Sequence, residues 1–314
     1  MPDYDQLLDA EMKAFVERTN SYYPPETVTF TIDQQRAVYD RMCAEFHAGR
    51  PQGVAVTDMM VPGRHRVPVR IYDRSDVAEP ACVVAYFHGG GFVVGGLDSH
   101  DDVCAEICDF TGYRVVSVDY RLSPEHDHPA AFDDSMAAFD WVSSVFDGPI
   151  VVAGDSAGGN LAAAISHALR GQEQRHPAGQ VLIYPGLGGE RNAGSYVEHA
   201  NAPMLTKADL DFYAGIRTGG KEIIGDPTQA PLQDTDFSSL PPTVVFPAEC
   251  DPLCDDGAAY CARINAAGGK AQNHVQKGWL HGALRARHMS AVSAASFREI
   301  CEAIATLGRG EWKG

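Results

Sequence analysis

The stretch Ile150-Val151-Val152-Ala153-Gly154-Asp155-Ser156-Ala157-Gly158-Gly159-Asn160 decides how the rest of the chain is read. Ile150 to Ala153 is an apolar run with the composition of a buried strand, and the alanine-rich segment Leu161 to Leu169 has a helical pattern. Between them lies Gly154-Asp155-Ser156-Ala157-Gly158. A Gly-x-Ser-x-Gly turn from strand to helix lifts a serine hydroxyl out of the sheet, and its glycines let strand and helix approach. The helix N-terminus behind it favours developing negative charge. A glycine-rich turn with an incidental serine would share the five residues, but not the strand and helix that flank them. Ser156 is therefore the candidate nucleophile.

Outward from this turn, apolar runs alternate with helical patterns. Ala81 to Phe87, Tyr113 to Val118, Gln180 to Tyr184, Thr243 to Phe246 and Gln272 to Gln276 read as strands, several of them apolar enough to be covered on both faces. Helices are expected over 100–111, 130–146 and 292–307. Val54, Val56 and Val67 to Tyr72, around a Pro62-Gly63 turn, read as an edge strand pair. The fold class expected is α/β: a mostly parallel eight-stranded sheet with helices on both faces. Two segments carry no strand signal. In 1–50, Leu8, Met12, Phe15 and then Val38, Met42, Phe46 recur at helical spacing; 188–233 is irregular, with one helical piece over 207–216. They combine most simply as a helical cap over a core of 51–187 and 234–314.

Composition narrows the function. Of 314 residues, 45% are hydrophobic and 21% charged, as in ordinary globular enzymes. A formal net charge of −17 argues against a nucleic-acid partner and against attachment to an anionic membrane, both of which need clustered Lys and Arg. No secretory signal and no apolar run of membrane-spanning length is visible. The eight cysteines include no Cys-x-x-Cys and no zinc-ligand spacing, which suits reduced, mostly buried thiols and a cytoplasmic protein.

A serine hydroxyl is a weak nucleophile near neutrality and needs a base, which in turn needs an orienting acid. In a strand–turn–helix arrangement of this kind the chain order is Ser, then Asp or Glu, then His. Asp251 follows the strand pattern ending at Phe246 to Cys250, and Pro252 favours a loop there. Asp255 and Asp256 precede Gly257-Ala258-Ala259 and read as caps of the next helix. Among the later histidines, His274 lies in a strand pattern and His288 in an Arg-rich helical stretch. His281, in Gly278-Trp279-Leu280-His281-Gly282, lies on a glycine-flanked loop after the last strand and is the base expected. Acyl transfer also needs donors for the oxyanion, each worth ~3–4 kcal/mol. His88-Gly89-Gly90-Gly91, after the third strand, and the N–H of Ala157 supply them.

The series HGGGF (88–92), DYRLSPEH (119–126), GDSAGGN (154–160), DPL (251–253) and HG (281–282) resembles the bacterial hormone-sensitive lipase family of α/β-hydrolases from about residue 55 onward. The resemblance implies Ser156, Asp251 and His281 as catalytic triad, and Gly90, Gly91 and Ala157 as oxyanion hole. It implies no metal and no organic cofactor. It makes Tyr120 to His126 a brace for the active-site loops, the helical segments a cap, and a homodimer through the last strand a possible assembly. Phe92, Asp155, Leu205 and Phe212 are the substrate-binding candidates. Cys254, where the family commonly has Arg, and Ala283, where an aromatic commonly follows His-Gly, depart from its pattern. The function expected is a serine esterase acting on short-chain carboxylic esters through an acyl-enzyme, with a small-molecule ester as partner. The same residues would serve an amide, lactone or N-acetyl hydrolase. A non-catalytic receptor of this fold would lack the histidine present at 281.

Overall fold

A computed structural model describes residues 2–62, 65–172 and 175–312. In chain order the elements are α1 (Tyr4–Leu7), α2 (Ala10–Asn20), α3 (Ile32–Phe46), β1 (Val54–Val61), β2 (Val67–Arg74), β3 (Val83–Phe87), α4 (Asp101–Thr111), β4 (Arg114–Val118), α5 (Ala130–Val145), β5 (Ile150–Asp155), α6 (Ala157–Ala168), β6 (Gly179–Ile183), α7 (Ser195–Glu198), α8 (Lys207–Arg217), β7 (Thr243–Phe246), β8 (Ala248–Cys250), α9 (Cys254–Ala266), β9 (Ala271–Asn273), β10 (Gln276–Leu280) and α10 (Ala291–Gly308). The sheet order is β1-β2-β4-β3-β5-β6-β7-β9. β1 pairs antiparallel with β2 and β2 with β4; every other pairing in the sheet is parallel. This is the α/β fold with the eight-stranded sheet expected from the alternating pattern. Of the Pro62-Gly63 turn, Gly63 lies outside the described residues.

The continuous apolar strands follow from cover on both faces. On β3, Val84 and Tyr86 pack with Val103 and Ile107 of α4 and Ile300 and Ile304 of α10. Val83, Ala85 and Phe87 point the other way, toward Phe139 and Val142 of α5, Leu161 and Ile165 of α6 and Ile264 of α9. Period-two alternation thus feeds two cores instead of a core and solvent. Met12 and Phe15 of α2 and Met42 and Phe46 of α3 join the first core beside Trp279, Leu280 and Leu284. The amino-terminal helices are therefore anchored in the body of the protein. The eight cysteines are free thiols, seven of them buried.

The end of the sheet differs from the expectation. The strand predicted over 272–276 is two elements. β9 closes the main sheet, and β10 leaves it to form a separate two-stranded parallel ribbon with β8. Alternation in 271–280 is too short to show a chain that changes sheets in mid-run. Asp255 and Asp256 also differ: α9 begins at Cys254 with Leu253 as N-cap, so both aspartates fall in its first turn. Asp255 accepts from Ser195 N (2.8 Å), and Asp256 from Leu187 N (2.7 Å) and Tyr196 Oη (3.2 Å), which ties the 187–196 segment down.

The crossing of β5 and α6 is the tightest point of this framework. A Cβ at Gly154 would stand 2.5 Å from the Gly158 carbonyl and 2.6 Å from that of Phe87, and a Cβ at Gly158 would overlap the Phe87 carbonyl outright. Backbone on all sides leaves nothing flexible to yield. Gly158→Ala is expected to cost more than about 2 kcal/mol of stability, read from urea unfolding; a variant as stable as the parent would refute this packing.

Candidate active site

Three strand ends deliver the candidate residues to one place. β5 ends at Asp155, and Ser156 turns the chain into α6 with φ 54° and ψ −115°, a left-handed backbone that a side chain adopts only under strain of order 1–3 kcal/mol. Its N–H is held by the Ile183 carbonyl at 2.9 Å. In the β8–β10 ribbon Cys250 is paired with Leu280, and the next residue on each strand is Asp251 and His281 respectively. Parallel register thus brings the two side chains together. His281 Nδ1 lies 2.6 Å from Asp251 Oδ2, and His281 Nε2 lies 2.8 Å from Ser156 Oγ. Asp251 is fully buried, and its Oδ1 accepts from Leu253 N at 2.9 Å. With a carboxylate at Nδ1, that nitrogen carries the proton and Nε2 is left to accept one from Oγ. The other histidines lie elsewhere: His274 is bonded to Gln272 Oε1 (3.0 Å) and His288 to Glu106 Oε1 (2.9 Å).

The glycine loop faces the same space. Gly90 has φ 127° and Gly91 φ 61°. The Gly90 carbonyl accepts from Val93 N and Val94 N, both at 3.0 Å. Because a trans peptide points its N–H opposite to its C=O, the Gly91 N–H faces away from that turn. The Ser156 carbonyl accepts from Asn160 N at 3.1 Å, so by the same geometry the Ala157 N–H projects from the start of α6. Gly90, Gly91 and Ala157 border one cavity of ≈ 1150 Å³ with Ser156 and His281. Such a cluster can take a proton from a hydroxyl and hold a negative oxygen beside it.

Asp155, a substrate-binding candidate, borders the cavity and is also bound to the glycine loop. Its buried carboxylate accepts from Tyr86 Oη (2.9 Å) and Gly89 N (2.9 Å) and lies 3.2 Å from His100 Nε2. Burial by itself would raise its pKa, but the charge of His100 and these hydrogen bonds outweigh that cost and hold it well below the ordinary carboxylate value. Tyr120 closes the other side: its hydroxyl donates to the His88 carbonyl at 2.6 Å and its ring stacks on His88 at 4.3 Å. Burial depresses the His88 pKa to about 4, so this ring is neutral at physiological pH. Ser123 N donates to the Phe92 carbonyl (2.8 Å), so the 120–126 segment does brace the loop.

Of the other substrate-binding candidates, Phe92 lies under the Arg217 guanidinium (3.6 Å), and Leu205 is buried with Tyr196 and Leu253; both border the cavity. Phe212 also borders it but is half exposed, and its neighbour Tyr213 is the ring packed on Gly91. Tyr184 is a contributor that no pattern pointed to. It follows β6 with φ 32° and lies 4.8 Å from the His281 ring. Only its place at a strand's carboxyl end, the side where ligands bind such sheets, could have marked it.

A model of the alpha/beta hydrolase fold family matches residues 84–285, a span that includes every residue of the cluster. The chain belongs to the α/β-hydrolase fold family. Over 226 residues this α/β-hydrolase is 39% identical to the carboxylesterase NlhH of Mycobacterium tuberculosis, covering 69% of this chain and 70% of that one. It is 32% identical over 265 residues to the ethyl acetate hydrolase of Pseudomonas putida, covering 81% and 83% respectively. A solved hyperthermophilic esterase from the archaeon Pyrobaculum calidifontis superposes with a TM-score of 0.85 at 32% identity, covering 96% of this chain and 98% of that one. Among the described residues no helix is long and apolar enough to cross a membrane.

The role of Asp155 is open to a direct check. A depressed carboxylate stabilises the fold above the unfolded-state pKa of about 4, and that stability drains away as pH falls below it. Asp155→Asn is expected to flatten the acid side of the stability–pH curve and to reduce turnover at neutral pH through the loosened Gly89 loop. An unchanged acid slope would show that the carboxylate does not hold the loop.

Proposed function

We propose that this protein is a serine esterase that hydrolyses small carboxylic esters through an acyl-enzyme. The observation that carries the reading is the unbroken relay from Asp251 through His281 to Ser156 Oγ, at 2.6 and 2.8 Å. Its resemblance to enzymes named carboxylesterase and ethyl acetate hydrolase supports an ester as the bond cleaved.

His281 Nε2 takes the Ser156 proton as Oγ attacks the ester carbonyl. Asp251, buried and aligned on Nδ1–H, stabilises the imidazolium that results and keeps the ring in the attacking tautomer. The oxyanion forms against the N–H groups of Gly91 and Ala157, with the Gly90 N–H as third donor. The imidazolium then protonates the departing alcohol, leaving the acyl group on Oγ. Water entering in the alcohol's place is deprotonated by the same imidazole and releases the acid. His281 must be neutral to start this cycle, so activity falls toward acid pH.

Segments 1–50 and 188–233 act in this reading as the cap, with 51–187 and 234–314 as catalytic core. Thr19, Tyr23, Tyr39 and Met42 from the first and Met204, Leu205 and Tyr213 from the second border the cavity that holds Ser156. At ≈ 1150 Å³ it exceeds what an acetyl ester needs. The preference for short acyl chains then rests on how Tyr213 and Leu205 close around the acyl group.

The test is substitution at the relay. Ser156→Ala is expected to abolish hydrolysis of p-nitrophenyl butyrate with the melting temperature kept. Asp251→Asn should lower kcat by up to ~10⁴. Retained turnover in Ser156→Ala would refute the mechanism; turnover of the anilide in preference to the ester would favour an amide hydrolase built on the same residues.

A further inference from the structure

Three arginines border the cavity: Arg191 pairs with Asp211, while among the described residues neither Arg217 nor Arg285 forms an ion pair with a carboxylate. Arg217 is engaged by neutral partners: its terminal nitrogens donate to Asn160 Oδ1 (3.2 Å), the Gln229 carbonyl (3.0 Å) and the Thr228 carbonyl (3.4 Å), and its plane covers Phe92. Those contacts use its donors to join α6 to the 228–229 loop. Burial without a counter-charge also pulls its pKa down to about 9.

Arg285 is different. It stands on the 3-10 turn Ala283–His288, which follows His281 directly. The turn folds its guanidinium back over Gly282, where a Cβ would lie 3.1 Å from Nη1. Its hydrogen-bond partners are the Tyr39 hydroxyl, over whose ring it also lies at 5.0 Å, and the Cys43 thiol, whose pKa burial raises. Burial raises the Tyr39 pKa well above that of a free phenol, so this partner is uncharged. Nε is buried with no partner at all. A guanidinium has five donors, and two neutral partners leave most of these unused. None of the carboxylates bordering the cavity forms an ion pair with Arg285: Asp155 attracts it across space but is hydrogen-bonded to Tyr86, Gly89 and His100, Asp209 caps its own helix through Thr206, and Asp211 pairs with Arg191; Asp251, beside the cavity, is held by His281 and Leu253.

Shortage of acid does not explain this. The chain carries 42 Asp and Glu against 25 Lys and Arg. Arg287, two residues on and buried, pairs with Asp102 and Glu106, and Arg121 pairs with Asp134. An interior cation without its counter-ion is costly, and such groups belong where a ligand supplies the missing charge.

We propose that Arg285 is the seat for a carboxylate carried by the substrate, so that the preferred esters are anionic, with a negative group remote from the scissile bond. The class of compound is the half-ester of a short dicarboxylic acid, or an ester whose alcohol part bears a carboxylate. A planar fork of free N–H donors suits a carboxylate in the bidentate mode. Its place beside His281 limits the spacer to a few carbons. This inference rests on the esterase reading above and refines it.

The experiment compares kcat/KM within two matched pairs. In one, the p-nitrophenyl monoester of glutaric acid is set against p-nitrophenyl butyrate; in the other, 4-carboxyphenyl butyrate is set against phenyl butyrate. The protein is expected to favour the charged member of one pair, which tells whether the acyl or the alcohol side meets Arg285. In Arg285→Met the charged-to-neutral ratio of that pair should fall about 100-fold, and raised ionic strength should narrow the preference. Arg285→Lys should retain part of the ratio, because it keeps the charge and loses the fork. If Arg285→Met does not fold, the Lys variant and the salt dependence of the parent carry the test. Preference for the neutral member in both pairs, or a ratio that Arg285→Met leaves unmoved, overturns the proposal while the esterase reading stands. Absence of Ser156-dependent turnover on all four esters would overturn that reading itself.

Discussion

Ser156 occupies a backbone conformation that no side-chain-bearing residue adopts without strain, at φ 54° and ψ −115°, and the surrounding packing exists to hold it there. Gly154 and Gly158 lack side chains because the Phe87 carbonyl and α6 leave no room for any. The Ile183 carbonyl fixes the Ser156 N–H from the next strand. With β3, β5 and β6 locked around one turn, the hydroxyl projects from the carboxyl edge of the sheet, and the Ala157 N–H at the head of α6 projects with it. In the proposed mechanism, nucleophile and oxyanion donor are set by the same turn.

The remaining groups are brought to this point by two other devices. One is the β8–β10 ribbon, whose parallel register places Asp251 and His281 side by side at its end. Parallel pairing is what makes this possible, because only then do both strands end at the same edge. The other is Asp155, the residue before the nucleophile, which reaches back to hold Gly89 and Tyr86 and so ties the glycine loop to the elbow. A shift in β5 would therefore move Ser156 and the glycine loop together, preserving their relative geometry.

Much of this arrangement is legible in the amino-acid sequence, and for physical reasons. Continuous apolar strands, a glycine-bounded serine and a His-Gly-Gly-Gly loop are local patterns forced by burial and by close backbone approach, so Ser156, Ala157 and the 88–91 loop can be named from the residues, while the choice of Gly90 and Gly91 within that loop comes from the family resemblance. Asp251 and His281 follow from chain order and loop position. What stays hidden depends on contacts between distant segments. The division of 271–280 into β9 and β10 is decided by pairing with β8, not by alternation within ten residues. The place of Asp155 beside Ser156 is legible, but its hydrogen bonds to Tyr86, Gly89 and His100 come from three separate elements and are not. That Arg285 forms no ion pair among the described residues is invisible in a sequence full of carboxylates, because it depends on where distant segments place them.

The central claim is that the strained turn makes Ser156 the one hydroxyl that attacks. It is tested most directly by titration with diethyl p-nitrophenyl phosphate, whose phosphoryl group stays on the attacking oxygen. Release of one equivalent of p-nitrophenolate per chain is expected, with loss of esterase activity in proportion and a diethylphosphoryl group found by mass spectrometry on the peptide containing Ser156. Modification of a different residue, or full loss of activity with Ser156 unmodified, would contradict it.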